Sequence, residues 1–339
     1  MVARHHQTVD RQRCDCRRHD SKNRNRAGSD CGRCPGGGDH RWPRTECLSF
    51  GIVHGPWGRV FDPIARCSHW IIEKSAQMSQ DAIMRLAIFL GLFAILAGIE
   101  HLAPRRPRPQ KNRRWITNWI FVVLDTLTLR ALAVLPFAAV FAAADASARG
   151  WGLLNLVALP GWVELVLVIL VMDLAIWVQH VLSHKIPLLW RIHRVHHSDI
   201  EFDVTTAIRF HPVEIALSMG FKIGIVYLLG PAAWTVVVFE ILLNGSAMFN
   251  HANIALPKKL DRVIRSVLVT PDMHRIHHSV HRFEHDSNYG FALSWWDRLF
   301  GTYTQSPQDG HSQMKIGLQW QDLRPTRLIW SLALPFFRK

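Results

Sequence analysis

Apolar and polar positions alternate along this chain in long blocks rather than at short intervals. Apolar residues dominate segments 82–102, 115–144, 153–182 and 215–248. Each segment reaches the roughly 20 residues that a helix needs to cross a bilayer core. A Gly-Pro pair at 230–231 interrupts the last block, which predicts a helical hairpin whose two legs leave and return on one side. The pattern predicts an all-α membrane protein with about four transmembrane helices, the hairpin included.

The charged segments between these blocks predict an orientation. Segment 104–114 contains six positive charges, and loops rich in Lys and Arg stay on the cytoplasmic side of a membrane. If this loop is cytoplasmic, the following blocks return the chain to the cytoplasm at residues 185–209 and again at residue 251. We therefore expect every histidine motif beyond residue 179 to lie on one membrane face, the cytoplasmic one.

Residues 1–77 differ from the rest of the chain. They are polar and basic and contain all six cysteines, a composition typical of disordered segments. The irregular pairs Cys14-x-Cys16 and Cys31-x-x-Cys34 leave a structural zinc site as an alternative. The predicted topology would also place this basic tail on the disfavoured outer side. We predict that residues 1–77 are a disordered or non-native extension and that residues 78–339 form the catalytic domain.

Overall composition narrows the class of partner. The net charge is +14, but the basic residues lie between apolar blocks and in the tail, as in proteins that contact anionic lipid. The chain has 14 Trp and only 3 Tyr, and indole rings suit the membrane–water interface. We expect a membrane and a lipid as partners and no nucleic acid.

The candidate metal ligands of this chain are histidines. The chain has 20 histidines, and those after residue 179 form one HxxxH motif and two HxxHH motifs, each HxxHH followed by serine. His251, in an Asn-His pair that leaves the hairpin, is expected beside them. The predicted metal ligands are His180, His184, His193, His196, His197, His251, His274, His277 and His278.

Helical spacing explains why these motifs suit metal ions. Residues at i, i+3 and i+4 share one helix face, so two imidazoles of a motif can bind one ion while the third reaches a neighbouring ion. The three motifs supply eight ligands, enough for two ions with about four imidazoles each. Neutral imidazole binds zinc, copper, iron and nickel alike, so the ligands predict a two-metal site without selecting the metal.

Several other residues are candidates for supporting roles. His211, in a His-Pro pair, is either a further ligand or the cap of the next helix, whereas His281 and His285 are expected in loops. One of the aspartates beside the motifs is expected to orient a ligand imidazole. An ionisable residue within an apolar block is expected to face the bundle interior. The aspartates beside the motifs are Asp199, Asp203 and Asp272, and the aspartate within an apolar block is Asp173. The aromatic residues expected at the membrane interface are Trp295, Trp296 and Phe300.

The order HxxxH, HxxHH, His-Pro, Asn-His, HxxHH, then Asn288-Tyr-Gly and Trp295-Trp-Asp, resembles the fatty acid hydroxylase/sterol desaturase superfamily, and most closely its bacterial sterol desaturase family proteins. The resemblance implies a four-helix transmembrane base, a cytosolic helical cap and two iron ions (zinc being a possible substitute) bound by the eight histidines of the three motifs. It also implies an integral, multi-pass membrane protein, located in the inner membrane if the source is a bacterium. Such a protein hydroxylates or desaturates a sterol-like or fatty-acyl lipid with O2. No residue beyond the metal ligands is predicted to be catalytic.

Three alternatives remain. Ether-lipid cleavage by hydroxylation beside the ether oxygen is a variant of the same chemistry. A zinc-dependent membrane hydrolase normally uses three protein ligands and a carboxylate base as in HExxH, a motif that this sequence lacks. A metal transporter would need ionisable residues across its spans. Since no nucleotide, haem or iron–sulfur motif occurs in the catalytic part, the electrons are expected from a separate reductase, ferredoxin or cytochrome.

Overall fold

The computed structural model describes residues 53–54, 60–61, 63–131, 138–320 and 322–337, with side chains at 80 and from 83 onward. The chain divides into two units, 1–70 and 71–339. In the first unit, β1 (Val53–His54) pairs antiparallel with β2 (Val60–Phe61). A helix begins at Pro63, but most of segment 1–77 lies outside the described residues. Its disorder, its proposed zinc site and the boundary at residue 78 stay predictions.

Apart from β1 and β2, the described elements are helices, as the sequence predicts. They are α1 (Pro63–Leu102), α2 (Lys111–Ala131), α3 (Ala138–Arg149), α4 (Gly161–Lys185), α5 (Pro187–His197), α6 (Pro212–Leu229), α7 (Ala233–His251), α8 (Lys258–Ile264), α9 (Pro271–His277), α10 (Arg282–His285), α11 (Trp295–Leu299), α12 (Gly310–Gln313) and α13 (Leu328–Ala333), with 3-10 turns at Leu153–Leu156, Val204–Ile208, Arg324–Thr326 and Leu334–Phe336.

Four helical segments are long and apolar enough to cross a membrane: Ile83–Leu102 of α1, and helices α4, α6 and α7. Their outward side chains are exposed apolar residues, such as Ile83 at 67% and Trp162 at 72%, which suits a lipid environment. The predicted hairpin is formed by α6 and α7, joined at Gly230, whose φ of 64° lies in the left-handed region. The third predicted span begins later than expected, at Gly161, because Pro160 precedes its first turn.

Within the second predicted span, 115–144, the structure describes α2 and α3, while residues 132–137 lie outside the described residues. Neither helix is among the four candidate spans. Helix α2 is polar for a span, because it buries Arg114, Asn118 and Asp125. The start of α2 and the end of α3 lie at opposite ends of the bundle. Arg114 lies beside the histidine motifs, whereas Asp145 of α3 accepts a hydrogen bond from Tyr227 Oη at 3.1 Å, near the hairpin turn.

The core of the bundle is made of small and apolar side chains. Buried alanines of α3, including Ala139 and Ala143, pack against Val168 and Met172 of α4 and Phe239 of α7. Small residues allow close helix approach where the hydrophobic effect between lipid-embedded helices is weak. This core brings the C-terminal end of α4, the start of α6 and the end of α7 to the same end of the bundle.

A glycine contact closes the opposite end. A Cβ on Gly152 would lie 2.3 Å from the backbone nitrogen of Gly230, so only glycine permits this approach. Asn155 Nδ2 also donates to Gly230 O at 2.9 Å. The loop before α4 is thereby held against the hairpin turn, which fixes α4 relative to α6 and α7.

Candidate metal centre

The nine predicted ligands come from four helices that meet at one end of the bundle. His180 and His184 lie on the last turns of α4, and His251 is the last residue of α7. The two HxxHH motifs end α5 and α9, which begin at Pro187 and Pro271. Proline at a first helical position is favoured, so the sequence itself fixes where each short helix starts.

The structure gathers all nine side chains into two buried groups that could each hold a metal ion. The five-histidine cluster contains His180, His184, His193, His197 and His277, and the four-histidine cluster contains His196, His251, His274 and His278. Within each cluster the candidate ligand atoms lie within 4.8 Å of one another. Each HxxHH motif serves both clusters, with two imidazoles in one and the third in the other, as the helical spacing predicts.

The outer nitrogens of five imidazoles face hydrogen-bond acceptors. Their Nδ1 atoms donate as follows: His180 to Tyr289 O at 2.7 Å, His277 to Ser287 O at 2.7 Å, His251 to Ala247 O at 2.7 Å, His196 to Arg209 O at 3.2 Å, and His193 to Glu214 Oε1 at 2.6 Å. Because a carbonyl or carboxylate oxygen only accepts, we assign the proton to Nδ1 in each ring. The lone pair of each Nε2 is then available for a metal.

The inner nitrogens converge in a manner that fits a bound cation. His277 Nε2 lies 3.0 Å from His180 Nε2, and His251 Nε2 lies 3.2 Å from both His196 Nε2 and His274 Nε2. Two lone pairs facing each other at this separation repel unless a cation lies between them. Ligands at metal–nitrogen distances of 2.0–2.1 Å lie about 2.9–3.4 Å from one another, so the observed spacing suits a transition metal.

Burial keeps these rings in the form that a metal needs. Burial, followed by the neighbouring imidazoles, lowers the pKa of His196, His197, His274 and His278 well below 6.5. The pKa of His277 is lowered for the same reasons. Several further ring nitrogens, among them both of His278, have no hydrogen-bond partner among the described residues. A buried polar atom without a partner calls for an explanation, and a metal ion supplies one.

Aromatic side chains surround the two clusters. Phe210 stacks on His196 at 4.6 Å between ring centres, and Trp190 lies 5.0 Å from His184. Phe291 contacts one ring of each cluster, His180 at 5.1 Å and His274 at 6.2 Å, and also packs against the bundle core. Apolar rings therefore pack against both clusters, and Phe291 lies between His180, His274 and the bundle core.

His211 is not in either cluster. Its Nδ1 accepts from Val213 N at 3.2 Å, so the His-Pro pair caps α6. His281 lies at the surface beside Asp309, but His285 is nearer to the site than the predicted loop position suggests. His285 stacks on Trp190 at 5.2 Å and forms a third candidate group with His184 and Asp286. His285 ends α10 and lies four residues after His281, so the pair has HxxxH spacing, and the expected loop position of His285 was wrong.

The three aspartates beside the motifs contact arginines rather than the candidate ligand imidazoles. Asp199 and Asp203 bind the buried Arg114, Asp199 at 2.5 Å, and Asp272 binds Arg275. The carboxylate that contacts a candidate ligand directly is Glu214, through the 2.6 Å bond from His193. Glu214 was not predicted, although its position three residues after His211, in the first turn of α6, places it at the same end of the bundle.

Asp173 faces the interior, as predicted, and explains the Trp-Trp-Asp segment. It accepts from Trp296 Nε1 at 2.9 Å, while Asp297 accepts from Trp177 Nε1 at 3.0 Å. Asp297 also accepts from the backbone N–H of Tyr289 at 2.9 Å. The two reciprocal Trp–Asp bonds hold the 289–297 segment against α4, and this places the Tyr289 carbonyl to accept from His180. Trp295 and Phe300 are exposed at 43% and 52%, which suits the predicted interface role.

Apolar helices of membrane-crossing length and two buried histidine clusters define a helical protein with a candidate two-metal site. Residues 165–302 match the family model described as Fatty acid hydroxylase. That segment includes every member of both clusters, and the match confirms the resemblance to this family seen in the sequence.

Three curated relatives illustrate the family. The chain is 29% identical over 177 residues to an ornithine lipid hydroxylase of Rhizobium tropici, covering 52% of this chain and 51% of that protein. It is 30% identical over 125 residues to the alkylglycerol monooxygenase of Homo sapiens, covering 37% and 27%. It is 26% identical over 136 residues to the cholesterol 25-hydroxylase of Homo sapiens, covering 40% and 48%. The matched region is thus about half or less of each relative. No solved structure gave a significant match.

Proposed function

We propose that the chain is a membrane-bound di-iron oxidoreductase that hydroxylates or desaturates a C–H bond of a sterol-like or fatty-acyl lipid. The observation that carries the proposal is the convergence of nine buried imidazoles into two adjacent clusters. Names of relatives in the family, all lipid hydroxylases or monooxygenases, support the lipid as substrate.

The residues fit two transition-metal ions, one in each cluster, and we propose iron as the native metal with zinc as a possible substitute. Bound iron would supply the activation of O2 that an unreactive C–H bond requires. The protein holds the ions through the nine histidines and excludes water through the aromatic rings around them. Because Phe291 lies between both clusters and the bundle core, the lipid carbon approaches the site along this side.

We propose an integral, multi-pass protein of a bacterial inner membrane with the metal site on the cytoplasmic face. The support is the basic segment between α1 and α2, which lies at the same end as the clusters. Arg114, in the first turn of α2 just after this segment, binds Asp199 at 2.5 Å, two residues after His197. Electrons come from a separate reductase, ferredoxin or cytochrome. Residues 78–339 form the catalytic domain, and the extension 1–77 is dispensable.

An ether-lipid monooxygenase is the second candidate. It is favoured by the similarity to alkylglycerol monooxygenases of three vertebrates at 30–31% identity. A zinc-dependent hydrolase has less support because two clusters with nine imidazoles exceed the three ligands of such sites.

Metal analysis of the full chain purified from membranes tests the metal assignment. We expect about two iron ions per chain, in line with about four imidazoles for each ion. One zinc ion per chain without iron would overturn the oxygenase proposal and favour the hydrolase.

Lipid analysis of cells that express the chain or its His277→Ala variant then tests the reaction. We expect hydroxylated or desaturated lipids with the wild type, and their loss in the variant. The matched control is His281→Ala, because His281 contacts Asp309 at the surface and belongs to neither cluster. A lipid composition that is identical in all three strains contradicts the enzyme. Loss of ether lipids alone selects the second candidate.

A further inference from the structure

A group of arginines lies beside the four-histidine cluster and is not used by the proposed reaction. Arg105 and Arg106 follow the end of α1, and Arg275 lies on α9 between two candidate ligands. One carboxylate, Asp272, lies among them; it binds Arg275 and is 3.5 Å from Arg105. Among the described residues, Arg106 adds a third guanidinium group near the two that contact Asp272, and the His311 ring lies 3.8 Å from the same carboxylate.

The backbone holds this group rigidly. Arg105 N donates to Asn253 O at 2.8 Å, and Arg106 N donates to Asn253 Oδ1 at 3.1 Å. Asn253 Nδ2 donates in return to Arg106 O at 2.8 Å. Because Asn253 follows His251 by two residues, the arginine pair has a fixed position relative to the four-histidine cluster.

Buried donors in this group lack acceptors among the described residues. They are Nε of Arg105, Nη1 of Arg106 and Nε of Arg275. Burial and the neighbouring Arg105 charge also lower the pKa of Arg106, as expected where positive charge is not compensated. Buried N–H groups of this kind normally have partners, so the group is suited to an added anion.

The position of the group indicates the source of the anion. It begins three residues after the end of the first candidate span at Leu102, at the level where lipid headgroups lie. The group is open on one side, since the side chains of Arg105 and Asp272 are 28% and 16% exposed. Arg275 lies 5.2 Å from the Phe202 ring centre, and the same ring lies 5.1 Å from that of His278.

We propose that Arg105, Arg106 and Arg275 bind the phosphate of a net-anionic lipid headgroup and thereby hold the lipid substrate beside the four-histidine cluster. A phosphate offers more acceptor oxygens than a carboxylate and forms paired bonds with guanidinium groups. The Phe202 ring contacts both Arg275 and His278 of the cluster. This inference rests on the proposed lipid substrate, but it concerns binding and needs no turnover.

The test measures lipid retention by the full chain in phosphatidylcholine nanodiscs with and without phosphatidylglycerol, read by native mass spectrometry. We expect the wild type to retain phosphatidylglycerol over phosphatidylcholine. We expect Arg106→Gln to weaken that retention about tenfold, the loss of one charge-assisted hydrogen bond, and Arg106→Lys to restore part of it. Arg113→Gln is the matched control, because Arg113 is an exposed basic residue of α2 outside the group.

Inorganic phosphate serves as the competing probe. Displacement of phosphatidylglycerol by phosphate supports a site for the phosphate group. Binding of inorganic phosphate without any preference for phosphatidylglycerol overturns the headgroup assignment. Equal retention by wild type, Arg106→Gln and Arg113→Gln overturns the site itself. Because binding is measured without O2 or reductant, failure of the oxygenase proposal would leave this result unaffected. Unchanged metal content in each variant shows that it has folded.

Discussion

The five-histidine and four-histidine clusters have the same kind of ligand but different surroundings. Around the five-histidine cluster, the Glu214 carboxylate accepts from His193 at 2.6 Å, and Asp286 lies 3.7 Å from Nδ1 of His184. Around the four-histidine cluster, the acceptors that contact the rings of His196 and His251 are backbone carbonyls. A carboxylate raises the basicity of an imidazole more than a carbonyl does. The difference indicates that two ions in similar imidazole environments would be bound with unequal strength.

The largest expected effect comes from removing one ligand from each cluster. His278→Ala leaves three imidazoles in its cluster, and we expect the metal content to fall from about two ions to about one per chain. His197→Ala leaves four imidazoles, and we expect both ions to remain. Metal analysis of the two purified variants checks this. Equal metal loss in both variants would show that the clusters do not differ.

The second-largest effect is expected on acidification, which should release the ions of the two clusters at different pH values. Protons compete with metals for imidazole, and burial lowers the metal-free pKa of His196, His274 and His278 below 6.5. Rings with a lowered pKa stay neutral at pH values above 6.5, so both ions should be retained in that range. They should be lost as the pH falls below it. We expect the four-histidine cluster to release its ion first, because it has fewer ligands and none of its rings contacts a carboxylate of the described residues.

Metal content after dialysis at decreasing pH measures this release. His278→Ala and His197→Ala assign each step to a cluster, since each variant perturbs one cluster alone. Simultaneous release of both ions from the wild type would contradict the comparison.

Removing the carboxylate should reduce the advantage of the five-histidine cluster. Glu214→Gln keeps the shape of the side chain but replaces an anionic acceptor, and we expect metal affinity to fall by about 10- to 100-fold at one site. A chelator competition experiment measures the change. Glu164→Gln is the matched control, because Glu164 accepts from Ala232 N at 2.6 Å at the opposite end of the bundle. Equal effects of the two variants would assign Glu214 a purely structural role.

The smallest effect is expected from removing the hydrogen bond between Trp177 and Asp297, which contacts neither cluster directly. Trp177→Phe removes the hydrogen bond to Asp297, and we expect a loss of about 1 kcal/mol of stability with little change in metal content. Thermal unfolding in detergent measures the stability. Loss of an ion in this variant would mean that the 289–297 segment controls metal binding more strongly than its hydrogen bonds indicate.

Motif spacing and apolar blocks can be read from the sequence alone, and they predict the features of the site that depend on a single helix. The spacing of His180 with His184, and of each HxxHH motif, puts imidazoles on one face of a helix whatever the surroundings. Three of the four apolar blocks overlap the candidate spans, the hairpin included, whereas the described residues of block 115–144 contain none of them. These features depend on helix geometry and polarity over a few turns, so they can be read without a tertiary structure.

The distribution of the imidazoles between the two clusters depends on tertiary packing. His193 and His197 lie in one cluster and His196 in the other, and this follows from how the rings of α5 meet those of α4 and α9. The roles of His211 as a helix cap and Glu214 as the partner of His193 also depend on contacts between distant segments. Spacing along one helix fixes which side chains share a face, but the identity of the facing partner depends on packing.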